Sequence, residues 1–110
     1  MEEIIDPNKA IKYIIKHSEE YAKAKAKRIY LDEFRKSQKA ILMMRSTEET
    51  LGAREAWAYS HPEYLEVLSG LREAVEIEEK LRWDLIAAQA RIEVYRTQSA
   101  NNRFVDKVVT

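Results

Sequence analysis

Only two histidines, His17 and His61, occur in the 110 residues, and there is no cysteine. Imidazole is the side chain best suited to proton transfer and metal ligation near neutral pH, so such chemistry would have to start from these two. His17 has Glu20 and Tyr21 within helical reach, yet two histidines in separate elements without cysteine make a poor zinc set. No glutamate is followed three residues later by histidine, which excludes the Glu-x-x-His pairs of a di-iron bundle. Two glycines cannot build a phosphate-cradling loop, so the P-loop and Rossmann motifs are excluded. Nothing resembles a nucleophile elbow. The expectation is a non-enzyme with no metal and no cofactor, with His17 on the surface and His61 at the start of a helix.

Two other sets of residues could do something. Lys23-Ala24-Lys25-Ala26-Lys27-Arg28 is the densest basic run, continued by Arg35, Lys36 and Lys39. Each cation that neutralises a phosphate adds salt-sensitive affinity for nucleic acid, and Tyr21 and Tyr30 lie close enough to stack on unpaired bases. Lys23, Lys25, Lys27, Arg28, Arg35, Lys36 and Lys39 are therefore the candidate nucleic-acid-binding residues. On a helical wheel Lys16, Lys23 and Lys27 flank one side of an apolar stripe, and the rest spread over the other flank and back. The competing reading is a solvated face, with surface salt bridges that contribute only ~0–1 kcal/mol each.

Charge is divided along the chain although the total is zero, nineteen basic residues against nineteen acidic. Lys9 to Arg45 carries eleven Lys/Arg against four Asp/Glu, and Ser46 to Glu93 carries eleven Asp/Glu against five Lys/Arg. Such asymmetry points either to a polyanion partner or to two halves that neutralise each other. No run approaches the ~18 apolar residues of a transmembrane helix. The acidic start Met1-Glu2-Glu3-Ile4 is unlike a secretory leader. A cytoplasmic protein with no membrane partner is expected, that of a bacterial host if the resemblance given below holds.

The elements that must carry these residues are helices. Asp6-Pro7 reads as a helix start, Asp capping free N–H groups and Pro taking the first helical position. No Gly or Pro follows until past Arg45, although Ser18-Glu19-Glu20 could restart a helix and leave a short leading one. Ser46-Thr47-Glu48-Glu49 matches a capping box, predicting a short helix over 47–59. Ser60-His61-Pro62-Glu63 repeats the signal and predicts a third helix from about His61 to Asn101-Asn102. Residues 101–110, with Phe104, Val105, Val108 and Val109, read as a frayed or docking tail, and residues 1–6 as an N-terminal extension of a single domain spanning 1–110.

The third helix carries the clearest pattern. Tyr64, Val67, Leu71, Ala74, Glu78, Leu81, Leu85, Ala88, Ile92 and Tyr95 alternate steps of three and four, a coiled-coil-type seam. Glu78 is its one polar member, and a buried carboxylate needs a cation, water or a proton. A Lys or Arg of the basic first helix is the expected partner, setting register, with a proton-active site as the alternative. Trp83, Ala87, Ala90 and Val94, with Ile86 beside them, form a second stripe. On the first helix Ala22, Ala26, Ile29, Tyr30, Phe34, Ile41 and Met44 read as the main stripe, with Tyr13, Ala24, Leu31 and Leu42 nearly opposite. One antiparallel partner cannot cover both sides, so a homo-oligomer, dimer or larger, is expected, with Trp83, Ile86, Ala87, Ala90 and Val94 at its interface.

The stretch from Tyr21 through Lys23-Ala24-Lys25-Ala26-Lys27-Arg28-Ile29-Tyr30 to Ala40 resembles small helical proteins of tailed bacteriophages. Leu68-Ser69-Gly70-Leu71 to Trp83 and Arg91-Ile92-Glu93-Val94-Tyr95-Arg96 share that likeness. The resemblance covers about two-thirds of the chain and implies a role in phage replication or recombination, similar to mediators that load a recombinase on single-stranded DNA. The expected fold is all-α, an elongated hairpin of two long helices with a short connecting helix and coiled-coil-like packing. The expected function is a non-enzymatic DNA-associated accessory protein, acting on single-stranded or duplex DNA through the basic helix. The alternative is a helical structural or adaptor protein, or an inhibitor, that binds a recombination or host protein through its apolar faces.

Overall fold

In a computed structural model, which describes residues 5–109, the chain forms three helices: α1 (Pro7–Arg45), α2 (Leu51–Ser60) and α3 (Pro62–Val109). Among the described residues there is no strand, and no helix is long and apolar enough to cross a membrane. Residues 1–4 of the expected extension lie outside the described residues, as does Thr110 of the tail. Two compact units emerge, one of residues up to Tyr21 with Lys80 onward, the other Ala22–Glu79. Within each, the α1 and α3 segments run antiparallel.

Local chemistry explains most of the boundaries. The Asp6 carboxylate accepts from the Asn8 and Lys9 amides at 3.0 and 3.4 Å, so the Asp-Pro start works as a cap. Ser18 does not restart α1; its hydroxyl donates to the Ile15 carbonyl at 3.3 Å and the helix runs on. Pro62 opens α3, and His61 serves both neighbours. Its backbone N–H donates to the Ala58 carbonyl, and its Nδ1 accepts from the Glu63 amide at 3.1 Å.

Two boundaries differ from expectation. Ser46 is not an N-cap, because its amide still bonds the Leu42 and Met43 carbonyls at the end of α1. Its hydroxyl only accepts from the Glu48 amide. Thr50 caps α2 instead, one turn later, its hydroxyl accepting from the Ala53 amide at 3.1 Å. At the other end α3 continues through Asn101-Asn102 to Val109. Asn lowers helix propensity by at most ~0.7 kcal/mol relative to Ala, and with neither Gly nor Pro nearby nothing stops the helix.

The Ala22–Glu79 unit has its core at the α2 end, where Leu42, Ala58 and Tyr64 are buried and Met43 and Trp57 pack against them. Farther along α3, Ala74 and Glu78 are buried as the seam predicts. In the other unit Ala10 of α1 and Ala88 of α3 are the buried positions. Small side chains there let helix axes approach at the short end of the usual ~8–10 Å range.

The inward face of α1 is a correction. Ala22, Ala26, Ile29, Tyr30, Ile41 and Met44 are exposed and only Phe34 is half-buried, whereas Leu42 is fully buried and Tyr13, Ala24 and Leu31 are half-buried. Counting large apolar residues selected the wrong side, because the true inner row includes Arg28, Arg35 and Gln38. Their alkyl stems cover apolar surface while their polar ends reach partners.

Leu42 is completely buried, so Leu42→Ala removes a side chain that the surroundings cannot refill. We expect a loss of about 2–4 kcal/mol, read from the urea midpoint at unchanged m-value.

Candidate nucleic-acid interface

Four of the seven candidate cations are engaged inside the Ala22–Glu79 unit. Arg28 grips Glu78 with a fork: Nε donates to Oε2 at 2.6 Å and Nη2 to Oε1 at 3.0 Å. The Glu78 side chain is 8% exposed and that of Arg28 32%. This two-bond geometry suits a guanidinium and not an ammonium, and it supplies the cation that the carboxylate in the seam requires. Arg35 donates to Asp32 at 3.0 Å. That bond, then one with the Tyr64 hydroxyl, raises the Arg35 pKa above its ordinary value. Lys39 donates to Glu55 at 3.2 Å and stands 4.5 Å from the Tyr59 ring centre. Its pKa is raised by hydrogen bonding to Tyr59 first and Glu55 second. Lys36 reaches Glu33 one turn back, at 3.4 Å.

Lys23, Lys25 and Lys27 are exposed on α1. Lys25 and Lys27 make no ion pair among the described residues. Beyond Lys27, Tyr30 stands 64% exposed, its ring stacked on Phe34 with centroids 5.9 Å apart and planes 11° from parallel. Lys23, Lys27, Tyr30 and Phe34 follow at steps of four, three and four and so share one flank of the helix. Lys25 lies on the other flank. The arrangement offers Lys27 beside an exposed, pre-stacked ring, the combination of cation and aromatic that tracks single-stranded backbone while stacking a base.

Acidic groups answer the rest of the basic surplus. Besides the Glu78 and Glu55 pairs, Arg45 donates to Glu63 at 2.8 Å and Gln38 to the same carboxylate at 3.1 Å. The half-against-half neutralisation considered from sequence therefore operates at the seam and at the α2 end.

In the other unit Tyr21 is half-buried. Tyr13 lies beside Asp84 in a cleft also lined by Lys9 and Arg91. Burial first, then the charge and hydrogen bond of Asp84, raise the Tyr13 pKa above 10.0. Lys80 donates to Asp84 at 3.0 Å, and this bond raises the Lys80 pKa. His17 is half-buried, not at the surface as expected. Its Nδ1 is 3.1 Å from Glu20 Oε2, and its ring is 4.2 Å from that of Tyr13. Among the described residues no three His, Cys, Asp or Glu gather as a metal site would. Trp83, Ala87, Ala90 and Val94 are exposed and Ile86 is half-buried.

The Tyr13–Asp84 contact and the polar inner row of α1 were missed from sequence. A signal existed: Ala24, Arg28, Leu31, Arg35, Gln38 and Leu42 alternate steps of four and three, a seam once long polar residues are admitted to it.

Glu78→Ala strands Arg28 at a site only a third exposed, and we expect a loss of about 2–3 kcal/mol. Replacing both, Arg28→Met with Glu78→Leu, recovers most of it in thermal melts. Tyr13 contributes stability that is fully present below the ordinary tyrosine value and is lost as pH rises through its raised one. Tyr13→Phe should therefore flatten the fall in stability on the alkaline side and remove one late-titrating tyrosine from the ultraviolet absorbance titration.

Compared with known proteins, the chain matches no protein family, no curated protein and no solved structure.

Proposed function

We propose that this protein is a non-enzymatic accessory factor that associates with single-stranded DNA, of the replication or recombination type that the phage resemblance implies. The observation that carries the reading is the flank of α1 on which Lys27 precedes an exposed Tyr30 stacked on Phe34. Lysines neutralise phosphates, and the ring offers a sequence-tolerant surface for one base. Arg28, Arg35, Lys36 and Lys39 are committed to carboxylates within the chain. The surface offered to DNA is therefore narrower than the basic run suggested, and the affinity modest.

A second reading, a helical adaptor or inhibitor that docks on a protein partner, is favoured by the other exposed side of α1. There Ala22, Ala26 and Ile29, exposed at steps of four and three, present a short apolar row.

Titration of a labelled oligonucleotide, single-stranded and duplex, at low and moderate salt separates the two. Binding at low salt should weaken by about 1–3 kcal/mol in Tyr30→Ala for the single strand only. Lys23→Ala with Lys27→Ala should flatten the salt dependence by a slope of about 1.4. An unbound oligonucleotide at low salt, or one indifferent to all three substitutions, removes the DNA reading and leaves the apolar row of α1 as the working surface.

A further inference from the structure

An imidazole sits where α2 gives way to α3. His61 is half-buried, with φ −69° and ψ 137°. This is the extended backbone that a proline favours in the residue before it and that a helix N-cap requires. The His61 N–H donates to the Ala58 carbonyl at 3.2 Å, and its own carbonyl accepts from the Tyr64 and Leu65 amides at 3.0 and 3.1 Å. Pro62 has no N–H to satisfy. Glu63 is the remaining donor of the first turn, and its amide donates to His61 Nδ1 at 3.1 Å. Ala58 and Tyr64, tied together through this residue, belong with Leu42 to the buried cluster.

A ring nitrogen that accepts from an amide has no hydrogen of its own, so the neutral ring carries its proton on Nε2. We propose that His61 is a proton-operated cap. When the ring takes its second proton, Nδ1 turns from acceptor to donor, the Glu63 amide loses its partner, and the α2–α3 corner loosens. Two N–H groups then face each other, and a positive charge stands at the positive end of the α3 dipole. The charged groups around the ring do not reverse this. On α3 the Glu63 carboxylate is already held by Arg45 of α1 at 2.8 Å and by Gln38 at 3.1 Å. On α2, Arg54 lies two turns before His61 on the same side as Trp57 and adds a further positive charge. The Trp57 ring is 4.9 Å from the imidazole but tilted by 55°, so it offers a cation less than an open face would. His17 is the opposite case: its Nδ1 is 3.1 Å from Glu20 Oε2, and a second proton strengthens that contact. The contribution of the His61 cap is present while its ring is neutral and is lost as pH falls through the range in which imidazoles gain charge, from about 8 to about 5. This device stands apart from the DNA reading and does not depend on it.

The test uses the full chain carrying His17→Gln, which leaves His61 as its sole imidazole because the sequence has only these two. Nitrogen NMR on isotope-labelled histidine reads the tautomer, and the neutral ring is expected in the Nε2–H form. Its titration should carry the Glu63 amide proton upfield as the hydrogen bond breaks. Urea unfolding at a series of pH values then compares this chain with one that also carries His61→Asn, a cap acceptor that takes up no proton in the range. The folding equilibrium should fall between the two ends of the range by about five-fold more with His61 than with Asn, the worth of one N-cap. His61→Ala should show that deficit at the alkaline end already. An Nδ1–H tautomer in the neutral ring or a Glu63 amide that ignores the titration would overturn the proposal. So would an equal pH dependence in the His61 and His61→Asn chains.

Discussion

One carboxylate in an otherwise apolar row decides how the Ala22–Glu79 unit goes together. Glu78 must lose most of its water when α3 meets α1, and the cost of a bare buried charge exceeds what several neighbouring apolar contacts provide. A guanidinium delivering two parallel hydrogen bonds offsets that cost, and Arg28 does so at 2.6 and 3.0 Å. Turning Arg28 inward turns Ala24, Leu31, Arg35, Gln38 and Leu42 in with it, since they share its side of the helix. The greasier face of α1, with Ile29, Ile41 and Met44, is thereby turned out.

The interior that results is thin. Among the described residues, four of the six buried apolar side chains, Ala10, Ala58, Ala74 and Ala88, bring little surface of their own, and the largest fully buried side chain is Leu42. Close helix packing over small residues, the Leu42–Ala58–Tyr64 cluster and the ion pairs across α1, α2 and α3 share the work of holding the helices together. Many large apolar side chains stay in water as a consequence, on α1 and along the outer side of α3. An excess of this kind is the physical argument for association, because soluble chains that act alone seldom keep such continuous rows uncovered.

Charge follows the same logic. The basic first half and acidic second half are partly a structural device, used up in the Arg28, Lys39 and Arg45 pairs with Glu78, Glu55 and Glu63. Lys25 and Lys27 escape this use, and Lys27 stands next to an aromatic ring that the fold leaves exposed. The division between cations that build the fold and cations that face outward comes from which side of one helix carries the fork-shaped donor.

The residue order alone settled the all-helical character, the Asp6-Pro7 and His61-Pro62 starts, the inward row of α3 and the need of Glu78 for a cation. These are local matters: propensity, capping and a period of 3.6 residues act along one segment and need no knowledge of its neighbours. Tertiary structure decided the inward face of α1, the shift of the α2 cap from Ser46 to Thr50, the partners of Arg35 and Lys39, and the contact of Tyr13 with Asp84. Each of these compares two arrangements of similar local merit, and the balance between them is struck by groups far apart in sequence. Arg28 and Glu78, fifty residues apart, show why: neither residue's burial is favourable until the other is in place.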